Sequence, residues 1–512
     1  MWPRTASNPP ERSASPGFHP LRTESAPRRA NGSRGATPIS KTLEHYTMLT
    51  HLHIKNFKAW KDTGPIRLAP LTVIFGANSA GKSSLGHLLL SLQQTARSTD
   101  RKRALNLGDA TSLIDLGTFT DCLHGHDLKA RLAFEMHWDL PKVLEVRDPL
   151  LSANPYQGNQ MKLAVELAAG RAEQPEVQAM SYVLSDGRED MLDVSLRRDE
   201  KRKFSLTSQK YAFKMAIGRK WPLEEPEKFY RVSDISMARF QNAGFLADFA
   251  LATESMLESL SYLGPLRNHP QRTYQWSGDT PSSVGQTGEY AVAAILAAQS
   301  EGRQLNRGPR RAKQGFAEFI AAWLKDLGVI HDFSVRPVAK GRKEYEVLVK
   351  THAKAPEVKI TDVGFGVSQV LPALVQAFYC PPHSTVWMEQ PEIHLHPQVQ
   401  AELADVFISA TQARENGKER HVQLIVESHS EHFLNRLQRR VAEGTIAPHD
   451  VAVYFCRRAG GATELEPLRL NVFGEIENWP DNFFGDEMAD IAGRTLAAMQ
   501  RKRELSEQGG MQ

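Results

Sequence analysis

The 512-residue sequence predicts an α/β fold in which a mixed β-sheet carries helices on its flanks. Three stretches predict it. The first is a strand-like block, Leu71-Thr72-Val73-Ile74-Phe75, that runs into the turn Gly76-Ala77-Asn78-Ser79-Ala80-Gly81-Lys82-Ser83 and then into leucines at 85, 88, 89 and 92. That leucine spacing is one face of a helix. The second is an apolar block, Thr385-Val386-Trp387-Met388, ending in Glu389-Gln390-Pro391-Glu392. The third covers residues 422–426 and ends in Glu427-Ser428-His429-Ser430. Short apolar runs of this kind suit strands buried on both faces, with their polar ends gathered at one edge of the sheet.

The turn at 76–83 fits the pattern G-x-x-x-x-G-K-[ST]. A nucleoside triphosphate concentrates several negative charges in a small volume. Consecutive backbone N–H groups at a helix N-terminus wrap those charges without bulky side chains intervening. Gly76, Ala77, Asn78, Ser79, Ala80, Gly81, Lys82, Ser83 and Ser84 are therefore the candidate phosphate-binding residues. Lys82 would reach the β- and γ-phosphates, and Ser83 would place its hydroxyl on Mg²⁺. A plain glycine-rich turn would need neither the strand before it nor the helix after it.

Composition narrows the class. The length and a 41% hydrophobic content allow two or three domains. No run of about 18 apolar residues occurs, so no membrane span is expected. Cys122, Cys380 and Cys456 stand apart with no C-x-x-C pair, which suits a reducing cytoplasm. The net charge of +4 resides entirely in residues 1–48, with seven Lys/Arg against three Glu; the remaining chain balances 56 against 56. Nucleic-acid binding would thus need a local patch. The leader holds seven prolines and no apolar periodicity, so it is expected to be disordered, with Met48 a candidate for the true start.

The expected organisation is a leader (1–48), a lobe with the phosphate loop (49–140), an inserted α+β arm (141–340), a second lobe (341–457) and a small C-terminal extension (458–512). The charge run Arg197-Arg198-Asp199-Glu200-Lys201-Arg202-Lys203 reads as a solvated hairpin tip. Arg307, Arg310, Arg311 and Lys313 read as a solvated loop rather than a DNA groove. No heptad pattern is sustained, so no long coiled coil is expected.

Residues 361–396 choose among phosphate-loop families. Thr361-Asp362-Val363-Gly364-Phe365-Gly366-Val367-Ser368-Gln369 leads into a helix with Val370, Leu371, Leu374 and Phe378 on one face. Glu389 then ends an apolar strand, where a carboxylate would hold Mg²⁺ and its waters. These motifs resemble the ABC-type ATPases, and within them the soluble branch of OLD nucleases, RecF and SMC proteins. The resemblance covers about 49–140 and 340–457. It implies a P-loop fold of ABC-ATPase type, with Gly366, Val367, Ser368 and Gln369 as signature residues, Glu389 as the Walker B acid, His396 in the D-loop and His429 as the switch histidine. Gln369 and Glu389 are 20 residues apart, the interval that the family shows. The phrase Glu-x-Pro-Glu-x-His-Leu-His-Pro is similar to the OLD-type group, and it implies a homodimer in which the signature of a second subunit completes each ATP site.

Two departures from that family matter. Gly366 stands where a signature serine is usual, with Ser368 displaced by two. Gln390 stands where the catalytic Glu is usual; an amide orients a water but does not accept its proton. Glu392 is the candidate substitute base, and slow hydrolysis is expected. His394 and His396 are expected at a subunit contact rather than at a metal. Arg267, in the run 263–278, is read as part of either a partner surface or an irregular loop. OLD nucleases carry a Toprim domain after the switch histidine, but the residues after His429 show no Toprim-type acidic cluster. Their Trp-Pro-x-x-Phe-Phe run, residues 479–484, resembles the small C-terminal domain of a group of bacterial AAA/ABC-like ATPases.

The expectation is a cytoplasmic, dimeric, ATP- and Mg²⁺-dependent switch with a separately encoded nuclease partner in anti-phage defence. The alternative is a RecF-like ATP-dependent DNA-binding protein. A transporter motor fits least, because 287 residues separate Lys82 from Gln369.

Overall fold

A computed structural model describes residues 48–150, 155–218, 221–308, 311–480, 483 and 492–501. The expected disordered leader, apart from Met48, lies outside the described residues, as do Arg310 and Phe484. The described residues all belong to one compact unit.

The centre is a six-stranded sheet in the order Leu260–Leu263, Thr385–Glu389, Gln423–Glu427, Leu71–Gly76, Val451–Ala459, Ala462–Leu468. The first five run parallel and the last closes an antiparallel hairpin. Every residue of Leu71–Gly76, Thr385–Glu389 and Gln423–Glu427 is buried, as the unbroken apolar runs require. Alternate side chains divide between two cores. Ile74, Trp387, Ile425 and Tyr454 pack with Leu85, Leu88, Leu89 and Leu92 of helix Lys82–Arg97. Val73, Phe75, Met388, Val426 and Val453 belong to the other core, with helices Phe365–Tyr379, Pro397–Gln412 and Glu431–Ala442. A two-residue strand period produces this split directly.

A second sheet of eight strands is antiparallel. Met48–Phe57, Leu132–Val146, Tyr156–Ala169, Pro175–Ser185, Asp190–Arg198 and Phe204–Thr207 follow one another across it. Its strands alternate buried and half-buried positions, so one face is apolar. That face, through Leu52, Trp138, Met161 and Tyr182, joins the core beneath helix Lys82–Arg97. The charge run does form the turn after Asp190–Arg198, but the Arg198 side chain is buried, 2.6 Å from Glu176 and 3.1 Å from Glu225.

The expected boundaries at 140 and 340 do not coincide with breaks in this architecture. Strand Leu132–Val146 crosses the first. The section expected as an inserted arm also supplies the edge strand Leu260–Leu263 of the central sheet. Its helices Ala291–Ser300 and Phe316–Asp326 pack into the core shared with Phe378 and Val386. A four-residue strand is too short to stand out by periodicity, which is why the section reads as peripheral. Beyond 458, Phe483 packs edge-on against Phe75, Phe455 and Trp479 at 4.6–5.7 Å between ring centres, pinning the C-terminal run to the sheet.

Candidate nucleotide-binding site

The C-terminal ends of three adjacent parallel strands converge on the phosphate loop. Strand Gln423–Glu427 lies between the loop strand Leu71–Gly76 and Thr385–Glu389. Gly81 adopts φ 90° at the mouth of helix Lys82–Arg97, a conformation that a residue with a Cβ resists. Lys82 is buried, and its Nζ donates to the carbonyls of Gly76 (2.9 Å) and Ala77 (3.0 Å). The ammonium thus spans the arc of its own loop. Burial lowers its pKa, and the carboxylates led by Glu427 oppose that. Ser84, counted with the loop by sequence, turns its hydroxyl inward: it accepts from Trp60 Nε1 at 2.9 Å and donates to the Gly81 carbonyl.

Glu389 and Glu427 are register partners at the ends of neighbouring strands. Tyr262 donates to Glu389 Oε1 at 2.8 Å, and His87 Nε2 lies 3.5 Å from the same oxygen. Burial would raise Glu389, but these donors outweigh it and hold its carboxyl below the usual range. Glu427 behaves oppositely, driven well above that range by complete burial and by Glu389. Its Oε2 accepts from Ser83 Oγ at 2.8 Å and its Oε1 from Trp387 Nε1 at 2.7 Å. Trp387 reaches it because position 86 is glycine; a Cβ there would sit 2.5 Å from the indole.

Beside the loop opens a cleft of about 450 Å³ whose lining includes Asn78, Gln390, Glu392, His394, Gln400 and His429. Gln390 has φ 44°, uncommon for a residue with a Cβ, and its N–H donates to the Glu427 carbonyl at 2.9 Å. Glu392 Oε1 accepts from Ser428 Oγ (2.9 Å) and the His429 N–H (2.7 Å), while its buried Oε2 has no hydrogen-bond partner. Burial raises Glu392 despite those donors. His429 is pushed down to about 4 by burial and then by Lys82, so its ring is neutral near pH 7, and Nε2 is unpartnered.

Arg267 lies behind this turn, with its side chain buried. Its Nη2 donates to the carbonyls of Glu389 (3.2 Å) and Gln390 (3.4 Å). Burial lowers its pKa to about 10, opposed by Glu392. Arg267 does lie in an irregular loop, one of its two expected settings, but the side chain is buried rather than exposed as a substrate or partner surface would need. Its role, like those of Tyr262 and Glu427, depends on pairings across more than a hundred residues that no local pattern signals.

The signature residues Gly366, Val367, Ser368 and Gln369 do not line the cleft, although Gly366 adjoins His394, which does. They open helix Phe365–Tyr379 beside His394 and Leu395, and Ser368 lines a separate recess with Asn268 and His269. His396 caps helix Pro397–Gln412, its Nδ1 accepting from Gln398 N–H at 3.3 Å.

Magnesium suits the oxygen pair of Ser83 and Glu389, since it takes one or two carboxylates together with substrate phosphates and water. Among the described residues no group of three or more His, Cys, Asp or Glu forms a self-sufficient metal site. No helix among them is long and apolar enough to cross a membrane. The expected basic loop is engaged elsewhere. The Arg307 guanidinium lies 3.8 Å from the centre of the Trp323 ring and pairs with Asp326.

Residues 303–434 match the AAA ATPase domain family, and residues 446–493 match a protein family of unknown function, DUF3696. No curated protein matches. Similar solved structures include an Smc head bound to the C-terminal winged-helix domain of ScpA (12% identity, TM-score 0.36, covering 83% of this chain and 98% of that one). The SMC head domain of Thermotoga maritima is 11% identical, with a TM-score of 0.35, and covers 82% of this chain and 98% of that one. An Smc head with an extended coiled coil, bound to a ScpA domain derived from Pyrococcus furiosus, is 11% identical, with a TM-score of 0.35 and coverage of 83% and 97%. The family matches do not include residues 76–83, so that loop rests on its own geometry.

Proposed function

We propose that this chain binds ATP with Mg²⁺, hydrolyses it slowly, and works as a two-subunit switch. The observation that supports this most is the pair of orphaned buried atoms in one cleft beside the phosphate loop, Glu392 Oε2 and His429 Nε2. Lys82 exchanges its two loop carbonyls for phosphate oxygens. Gln390 orients the attacking water through its amide, and Glu392 takes the proton. Its raised pKa suits a general base better than an ordinary carboxylate does. His429, neutral, offers an Nε2 hydrogen bond to the terminal phosphate. Magnesium, held by Ser83 and Glu389, would neutralise charge on the phosphates.

The signature residues 366–369 do not line the cleft of their own chain, and in the dimer reading a second copy would supply them. ATP would then close two copies and hydrolysis would reopen them. The three buried free thiols suit a reducing cytoplasm. The resemblance to OLD-type proteins supports a biological reading as an anti-phage sensor that holds or licenses a separately encoded nuclease. Mass measurement with and without ATP and Mg²⁺ on wild type, Lys82→Ala and Glu392→Gln tests the switch. ATP should dimerise the wild type, Lys82→Ala should stay monomeric, and Glu392→Gln should remain trapped as a dimer. An ATP-indifferent wild type would refute the reading. Purification from the native locus without a neighbour-encoded partner would refute the defence role.

A further inference from the structure

Glu427 is a fully buried carboxylate at the nucleotide end of the central sheet, and the mechanism above does not use it. We propose that Glu427 is a positioning residue of the cation site: it takes the hydrogen of the Ser83 hydroxyl and so turns the lone pairs of that oxygen toward a divalent cation on the phosphates. This rests on the nucleotide reading and adds a component to it.

The donor count carries the inference. Trp387 Nε1–H donates and cannot accept, and it holds Oε1 at 2.7 Å. That bond fixes the plane of the carboxylate. Oε2 then accepts from Ser83 Oγ at 2.8 Å, and a divalent cation beside that hydroxyl would keep the carboxyl ionised and so unable to donate back. Both lone pairs of Ser83 are left for a cation. The strand register sets Glu427 directly against Glu389, so two carboxylates flank one hydroxyl from neighbouring strands. The clamp is built with some care: Gly86 removes the Cβ that would otherwise push Trp387 away. A buried acid serving only to fill the core would need no such orientation, because an apolar residue of similar size would fill the space without the cost of desolvating a charge.

An amide at 427 breaks the pattern while keeping the shape. Its one oxygen can serve Trp387, which leaves its NH₂ against Ser83 and uses one of the lone pairs that the cation needs. Mn²⁺ is the probe, followed by electron paramagnetic resonance in the presence of the non-hydrolysable analogue AMPPNP. Glu427→Gln should weaken Mn²⁺ affinity by about 10-fold or more, the usual cost of losing a partner of a metal ligand. AMPPNP affinity in EDTA should stay within about twofold of wild type. In a Ser83→Ala background the same substitution should add little, because the residue acts through that hydroxyl. Trp387→Phe, which keeps the carboxylate but frees Oε1, should give an intermediate loss and serves if Glu427→Gln does not fold.

Unchanged Mn²⁺ affinity in Glu427→Gln, or in Trp387→Phe if only that variant is soluble, overturns the proposal. So does a full additional loss in the Ser83→Ala background. A wild type that binds no AMPPNP at all overturns the nucleotide reading and this proposal with it. Normal AMPPNP binding with unchanged Mn²⁺ affinity in the variant overturns this proposal alone.

Discussion

The two large sheets meet in one core but treat their polar residues in opposite ways. The antiparallel sheet leaves carboxylates such as Glu135 and Glu176 partly exposed and pairs them with nearby bases. Glu135 lies beside His137 and Lys162 at 2.7–2.8 Å and is held down to about 2, first by its bond to His137. The parallel sheet buries carboxylates at and just beyond its strand ends; burial raises Glu392 and Glu427, and Glu392 Oε2 stays unpaired. A resting fold gains nothing from an unpaired buried acid; a site that awaits phosphate, metal and water does. One sheet is built for stability, and the other carries strain toward chemistry.

Substitutions can break or sharpen that contrast, starting with the largest effect. Lys82→Ala should abolish ATP binding measured by calorimetry, while the melting temperature holds or rises as a buried cation is removed; retained binding would break the contrast outright. Glu392→Gln should lower ATP turnover by at least about 100-fold, the usual contribution of a general base, with ATP affinity intact. Leu163→Ala, in the buried row of the antiparallel sheet, should cost about 2–5 kcal/mol in denaturant unfolding yet leave ATP affinity unchanged.

Acidity separates the sheets more finely. Glu392 has a raised folded pKa, so its contribution to stability is lost as pH climbs above the usual 4.5. Glu392→Gln should therefore stabilise the nucleotide-free protein more at pH 8 than at pH 5. Glu135 is depressed, so its contribution is present above 4.5 and lost as pH falls toward 2. Glu135→Gln should be slightly less stable at pH 7, by under about 1 kcal/mol for so exposed a pair, with the gap closing in acid. Melting curves across pH check both signs. The smallest effect belongs to the basic loop. Neutralising Arg307 and Arg311 should leave DNA retention at low salt unchanged, because Arg307 is already stacked and paired.

The phosphate loop, its strand and helix, the strand ending at Glu389 and the one leading to His429 were all legible in the sequence. Each is a contiguous run with an apolar period and a polar stop. What stayed hidden depends on partners far along the chain. Tyr262 and Arg267 meet Glu389 across more than a hundred residues, and strand Leu260–Leu263 is only four residues long. Glu427 stood in plain view beside His429, yet its meaning comes from Ser83 and Trp387. The arm between 141 and 340 looked separate because its apolar positions serve two different cores.

The order of strands has a consequence for how the molecule is made. The antiparallel sheet is complete once residue 207 has been synthesised. Strand Leu71–Gly76 finds its neighbours only when Gln423–Glu427 and Val451–Ala459 arrive. At the usual ribosomal pace of about 5–20 residues per second, the stretch from 207 to 427 takes roughly 10–45 s, during which the loop strand waits beside an already folded neighbour. On the proposed reading, the nascent chain would gain its ATP site only once residue 459 has been translated.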